Sequence, residues 1–459
     1  MDVLKRLGRW LDRPLFPWKK LIIGFSLGHY FFESYLSFRQ YRVLQRTKVP
    51  KTLENEVDQT TFDKSQDYGR AKAKFGFVSG LFNQIQSLSI IHYDVYPKLW
   101  ALTGLWLARY APARFSGEIS HSLLFIFAYS FAETLIGLPF SYYHHFVLEE
   151  KYGFNKQTVK LWLTDLLKSQ VLTLAFGIPI GSAFLAIIQR TGDSFFYYLW
   201  LFMLGVQLFG ITIYPILIVP LFNKLTPLSP GPLKDGVEAL ATRLNFPLAE
   251  LQVIDGSKRS AHSNAYFTGL PWKKKIVIYD TLIEKSTDKE VEAILAHELG
   301  HWSMGHTTRL LVISQFHIFY MFALFSVFIN NKSLYDSFGF TKERPIMIGF
   351  LLFNAVLSPT DSVITLIMNV LTRKMEFEAE LVDNFAFKLG YATELASSLI
   401  KLQIQNLSSM DADYLYSSYH FSHPILTERL KAVGWTSEKK VAGKEADGDK
   451  PVKAADREL

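Results

Sequence analysis

Apolar residues are distributed along this chain as in a protein threaded through a membrane. A helix needs about 20 apolar residues to cross the hydrocarbon core, and about 18 without charge already suffice. Ser169 to Gln189 carries no charge, and Ser194 to Asn223 is an uncharged run of thirty residues. Leu310 to Asn331 holds nothing more polar than His317 and a few amides. Four weaker stretches join them: Leu21 to Phe38, Phe75 to about Leu107 with Asp94 and Lys98 inside it, Ser120 to Leu148, and Ile346 to Thr372. Seven transmembrane helices are therefore expected. Glu33, Glu133 and Asp361 lie within these stretches. A charge at the bilayer centre costs roughly 2.5–3.5 kcal/mol, so each must face protein or water. An aqueous chamber and polar bonds between helices both meet that demand.

The N-terminus is basic and precedes an apolar segment, yet it has bulky aromatics, Glu33 and no small-residue cleavage site, so Leu21 to Phe38 reads as a retained span rather than a signal peptide. Lys and Arg are shared unevenly between loops: thirteen fall in 39–74 and 149–168, against Arg109, Arg114 and Arg190 in the alternate loops. Cytoplasmic loops hold the excess, which places the polar stretch 224–309 and everything after Thr372 together in the cytosol. The basic N-terminus pulls the other way.

Those two polar regions are the places for a water-exposed head. LSPGPLKDGVEALATRLNF has a Pro/Gly cluster that ends the preceding span and then a helical spacing of apolar residues. LQVIDG and KKIVIYD are short, rich in β-branched residues and bounded by turn formers, so they read as strands. STDKEVEAILAHELGHW reads as a helix, with Thr287 and Glu290 at the spacing of a capping box.

On that helix His297 and His301 are four residues apart and share a face, the arrangement that offers two imidazole nitrogens to one tetrahedral ion. Glu298, one position on, can take a proton from a zinc-activated water and hand it to a leaving amine. A catalytic zinc takes three protein ligands and keeps one position open. The third is not a nearby histidine of the metzincin kind, because the chain reads HELGHWSMGH; His306 reads as a polar residue at the membrane entry. TRKMEFEAE, after the last span, offers Glu376, Glu378 and Glu380, of which Glu376 and Glu380 share a helix face. One can bind metal while the other hydrogen-bonds a ligand histidine, or the run is a solvated acidic face.

Composition narrows the chemistry. Apolar residues make up 49%, aromatics 15% and charged residues only 20%, too few for a large soluble surface. There is no cysteine, which removes disulfides, thiolate ligands and a cysteine nucleophile together. The formal charge of +7 is accounted for by loops beside anionic lipid, and no nucleic-acid partner is expected.

AHELGHW, IDGSKRSAHSNAYFTGLPWKKKIVIYDTL, FESYLSFRQYRVL, SYYHHFVLEEKYGFNKQTVKLWLTD and YSSYHFSHPILTERL together resemble the type I CAAX prenyl proteases, membrane zinc enzymes that trim farnesylated proteins such as yeast mating-pheromone precursor and prelamin A. The resemblance runs from about residue 14 to 435. It implies a polytopic α-helical protein whose seven helices enclose a large chamber, capped by a cytosolic zincin-like α+β domain, in the endoplasmic reticulum and inner nuclear membranes. It further implies one Zn2+ held by His297, His301 and Glu376, Glu298 as acid/base, and Asn264 and His423 as contacts to the substrate backbone and developing oxyanion. Arg429 falls at a supporting position. The family has aspartate where Glu380 stands, and extra residues precede Gly390, so Glu380 or Asp383 fills the supporting acidic role. The organisation that follows is 1–223 for the first five spans, 224–309 for the metalloprotease segment, 310–372 for the last two spans, 373–436 completing the zinc site, and 437–459 a disordered tail. The partners implied are the lipid bilayer and a farnesylated CAAX-type protein.

Other classes remain in view. A protease that cuts within transmembrane helices buries its pentad in an apolar span, whereas here it lies in a polar region. A polytopic protein with structural zinc needs no open coordination position. The pair Glu149–Glu150 suggests the other CAAX protease type, but without a suitably spaced arginine it reads as loop charge.

Overall fold

The computed structural model describes residues 2–270, 272–381, 390–432 and 435. A short helix α1 (Asp2–Leu11) leads through Pro14 and Pro17, which cannot continue a helix, into α2 (Trp18–Val43). Next come α3 (Gln59–His92) and α4 (Val95–Tyr110). The stretch Phe75 to Leu107, expected as one span, is thus two helices. Asp94 breaks it in a left-handed conformation, φ 52°, which Asp tolerates better than most side chains, and its carboxylate pairs with Lys19 of α2.

Helix α5 (Glu118–Tyr143) passes into a π-helical turn, His144–Glu149. The next two, α6 (Val159–Thr191) and α7 (Phe195–Ile213), meet at Gly192, whose φ of 54° suits glycine, and pack on one another. A short α8 (Val219–Phe222) ends this region. Among the described residues four stretches are long and apolar enough to cross a membrane: Glu118–Glu149, Val159–Phe222, His306–Phe328 and Ile346–Glu378. The second contains both α6 and α7. Their outer faces expose Phe209, Ile216, Phe316 and Val370, surface that water would penalise and lipid accepts. The molecule is a polytopic helical membrane protein.

The charges within expected spans are partnered. Glu133 accepts from Gln86 Nε2 at 2.7 Å, Glu33 lies 3.2 Å from His420, and Asp361 lies 3.8 Å from His317.

The soluble unit begins with β1 (Leu225–Pro227), α9 (Pro232–Arg243), β2 (Leu248–Ile254), β3 (Ala265–Leu270) and β4 (Lys273–Tyr279). The sheet order is β1-β2-β4-β3, with β2 and β4 parallel and the outer pairs antiparallel, so β3 is an edge strand. After α10 (Asp280–Lys285) comes α11 (Asp288–Ser303), which carries the pentad and packs on α9, β3 and the later helix Ala392–Gln405. Val237, Ile276, Ile278, Leu282, Val291, Leu295 and Leu299 form the core between them. The chain re-enters the membrane as α12 (His306–Phe328), turns through α13 (Lys332–Ser337), and returns as α14 (Ile346–Leu381), whose end reaches the pentad.

The start of α11 is held by the capping box its sequence announces. Thr287 Oγ1 accepts the Glu290 N–H, and the Glu290 carboxylate accepts the Thr287 N–H at 2.9 Å. Glu290 also binds Lys401 and Ser397, tying α11 to the helix Ala392–Gln405. Thr287→Ala removes the cap and should cost about 1 kcal/mol. Thermal unfolding of the detergent-solubilised protein, followed by loss of helical signal, checks the shift.

Candidate active site

The amphipathic register of α11 turns its apolar side to the sheet and stacks His297 and His301 one turn apart. Their Nε2 atoms lie 3.3 Å from one another. Glu376, near the end of α14, closes the triangle: Oε2 is 3.5 Å from His297 Nε2 and Oε1 is 3.3 Å from His301 Nε2. All three residues are shielded from water, Glu376 almost fully at 2% exposure. Two imidazole nitrogens and a carboxylate that face one another in a largely shielded site are a donor set suited to a metal cation. Ligand atoms around a tetrahedral zinc would stand about 3.3–3.4 Å apart, and the imidazole nitrogens and the nearer carboxylate oxygens lie 3.3–3.5 Å from one another. Burial pushes the His297 imidazole below its ordinary range, toward the neutral form that ligates metal.

Glu298 sits beside this cradle, half-buried, and its carboxylate makes no hydrogen bond among the described residues. Burial raises its pKa, toward the range in which one group both accepts and returns a proton near neutrality. His423 reaches in from the far end of the chain, with Nε2 3.1 Å from Glu376 Oε1. That hydrogen bond raises its pKa and favours the charged imidazolium. Arg429, in the helix Leu426–Ala432, adds positive charge felt by His297, Glu298 and His423. A carboxylate with a raised pKa, a metal cradle and a cationic imidazole thus converge.

Comparison with known proteins agrees with this geometry. Residues 40–224 match the family described as CAAX prenyl protease N-terminal, five membrane helices, and residues 227–436 match peptidase family M48. CAAX prenyl protease 1 of Saccharomyces cerevisiae is 48% identical over 94% of this chain and 98% of its own length. The chain belongs to the CAAX prenyl protease family of M48 peptidases. The human CAAX prenyl protease 1 homolog is 40% identical over 91% of this chain and 96% of its own. The crystal structure of S. mikatae Ste24p superposes with a TM-score of 0.87 at 48% identity, covering 92% of this chain and all of that one. The family and the cradle together make this a zinc metalloendopeptidase with one Zn2+ as cofactor.

Not every expected residue joins the cluster. Asn264 is exposed at the head of β3, and its side-chain oxygen accepts the Ala265 N–H at 2.8 Å rather than a bond from the zinc cradle. Asp383 and the side chain of Glu380 lie outside the described residues, as does the tail 437–459.

Two readings of this CAAX prenyl protease sequence change in the folded molecule. His306 stands at the membrane entry, as the first residue of α12, but it is more than a polar residue there. It is buried, its Nδ1 lies 2.9 Å from His301 Nδ1, and its Nε2 lies 3.4 Å from Glu378, which pairs with Arg309 at 3.2 Å. For His301 to ligate through Nε2, its Nδ1 must carry the proton and donate it to His306 Nδ1, while the Glu378 carboxylate lies 3.4 Å from His306 Nε2 as an ion-pair partner. The His301–His306 bond thereby selects the metal-binding tautomer. Glu149, read as loop charge, is buried, accepts the Tyr68 hydroxyl at 2.8 Å and lies 3.7 Å from both His144 and His262. A lone histidine five residues past the pentad and an acidic pair in a loop carry no local signal of either role.

The segment FESYLSFRQYRVL also finds its use. Arg39 Nε and Nη2 donate to the two Asp413 oxygens at 2.9 and 2.8 Å, and Asp413 caps the helix Tyr414–His420 through the Leu415 and Tyr416 N–H groups. Gln40 accepts the Asp413 N–H at 2.8 Å, and Arg46 pairs with Asp411. Helix α2 and the turn after it thus hold the stretch that ends in His423. His306→Ala should weaken zinc binding about 10–100-fold, a loss that competition with a graded chelator series measures.

Proposed function

We propose that this chain hydrolyses the peptide bond at the C-terminus of prenylated CAAX proteins, releasing the terminal tripeptide, and cuts the same substrates at a second, upstream site. The observation that carries the reading is the buried His297–His301–Glu376 cradle beside the free carboxylate of Glu298. Relatives named for CAAX cleavage, similar over nearly their whole length, supply the substrate class.

The edge strand β3 packs beside α11 and leaves one side unpaired, so an extended peptide adds to it through main-chain hydrogen bonds at little side-chain specificity. Asn264 at its head holds the substrate backbone. A zinc ion in the cradle supplies Lewis acidity, which lowers the pKa of an attacking water and polarises the scissile carbonyl. Glu298 accepts the proton of that water as it attacks and passes it to the departing amine. His423, its positive charge sustained by Glu376, donates to the oxygen on which negative charge develops, with Arg429 adding to the local field. His297 Nδ1 is buried without a partner among the described residues. An acidic neighbour is what that atom calls for, and Glu380 and Asp383 are the residues proposed to support it.

The same reading extends to the whole molecule. Seven helices enclosing a chamber and a protease head on the cytosolic side draw support from the seven apolar stretches of the sequence and the concentration of Lys and Arg in 39–74 and 149–168, and residence in the endoplasmic reticulum and inner nuclear membranes rests on the family. The proposed unit borders stand at 223, 309, 372 and 436, the first three near the ends of apolar stretches.

Purified full-length protein incubated with a farnesylated CAAX peptide should release the tripeptide, detected by mass spectrometry, and a chelator should abolish the release until zinc is restored. Glu298→Gln should lower turnover about 10²–10⁴-fold while zinc content, read by atomic absorption, stays at one per chain. A variant that keeps full turnover would sink the acid/base assignment.

A further inference from the structure

A second ligand-sized feature lies outside the zinc site, on the membrane flank. A groove of about 610 Å³ runs between α3 and the end of α5 with its π-helical turn. Its two ends differ in chemistry. Arg70 and Lys74 of α3, with Lys151 just past the π-turn, line one end; Val78, Phe140 and Val147 line the other. Arg70, Lys74 and Val78 follow at four-residue steps on one face of α3, so charge gives way to hydrocarbon over roughly 12 Å along the helix.

Three cations stand against one carboxylate, and Lys151 also donates to the Tyr152 hydroxyl at 3.2 Å, so the groove keeps a net positive charge. The single carboxylate in the groove, Asp67, accepts the Tyr152 hydroxyl at 2.8 Å and lies 3.4 Å from Arg70 and 3.6 Å from Lys151. Arg70 also donates to the Leu44 carbonyl at 2.8 Å. Lys74 is exposed and makes no hydrogen bond or ion pair among the described residues. The apolar end is open too: Val78 is 63% exposed and Val147 45%. A site with spare cations at the level of the protease head and bare hydrocarbon deeper in the bilayer complements a molecule of one kind, with an anionic head and an acyl chain.

We propose that this groove binds an anionic glycerophospholipid of the leaflet nearest the protease head. The phosphate sits between Lys74 and Lys151, and one acyl chain lies along Val78, Phe140 and Val147. The occupant rests on the turn that carries Leu148 and Glu149. Glu149 in turn reaches Tyr68 and His262, two residues before Asn264. Lipid in the groove therefore buttresses the loop that enters β3.

The test uses the full-length protein, stripped of lipid in detergent and offered phosphatidylinositol or phosphatidylcholine with matched acyl chains, with retained lipid counted by native mass spectrometry. Wild-type protein should retain phosphatidylinositol in preference to phosphatidylcholine. Lys74→Gln should retain about fivefold less phosphatidylinositol, and Lys74→Gln/Lys151→Gln about thirtyfold less, the scale expected for removing one and two lysines from an anionic headgroup. Arg109→Gln/Arg114→Gln, exposed charges at the far end of α4, should retain as much as wild type. Because Lys74 is exposed and unpaired, its single variant keeps the test valid if the double variant folds poorly. Equal retention of both lipids by the wild type, or undiminished phosphatidylinositol retention by Lys74→Gln, overturns the assignment.

Discussion

Two imidazoles and a carboxylate, brought within 3.5 Å of one another in a dry pocket, are the constraint on which the rest of this molecule depends. The grouping joins α11 of the soluble unit to α14 of the membrane unit, and a cation held by it would tie the two together. Zinc binding and the docking of the two units are therefore one event in free-energy terms. The long α14 makes this possible. It runs 36 residues without a break in its helix, so the same rod that crosses the membrane delivers Glu376 to the pentad.

Around that junction the polar contacts do different work. His306, Glu378 and Arg309 set the proton on His301, and the electronics of the ligand depend on them though none touches the metal position. Arg39, Gln40 and Arg46 of α2 and its following turn hold residues 411–413, and the short helix capped by Asp413 then presents His423. Residues at opposite ends of the chain thus share one site. A substitution in α2 acts on the enzyme through geometry, at a distance from any reacting atom.

The membrane region follows a different logic. Its apolar faces are satisfied by lipid, and its half-buried acids by polar partners: Glu133 with Gln86, Glu33 with His420. Asp94 shows where charge changes architecture. In an uninterrupted apolar run the chain continues as one helix, whereas here the pull of Lys19 and a tolerated left-handed conformation turn it into two.

Features that depend on neighbours within a few residues could be read directly from the chain. His297 and His301 share a face because a helix repeats every 3.6 residues, Thr287 and Glu290 cap it because their spacing matches its first turn, and the long uncharged runs require a membrane. Family resemblance singled out Glu376 from three acids that local pattern left equivalent. What no local pattern contained were relations across the fold: His306 against His301, Glu149 against Tyr68, Arg39 against Asp413 across more than 370 residues. A buried, bonded acid and a solvated one have the same letter and similar flanks. Which of them a given residue becomes is set by the partners that packing brings to it, and those arrive only when the chain is folded.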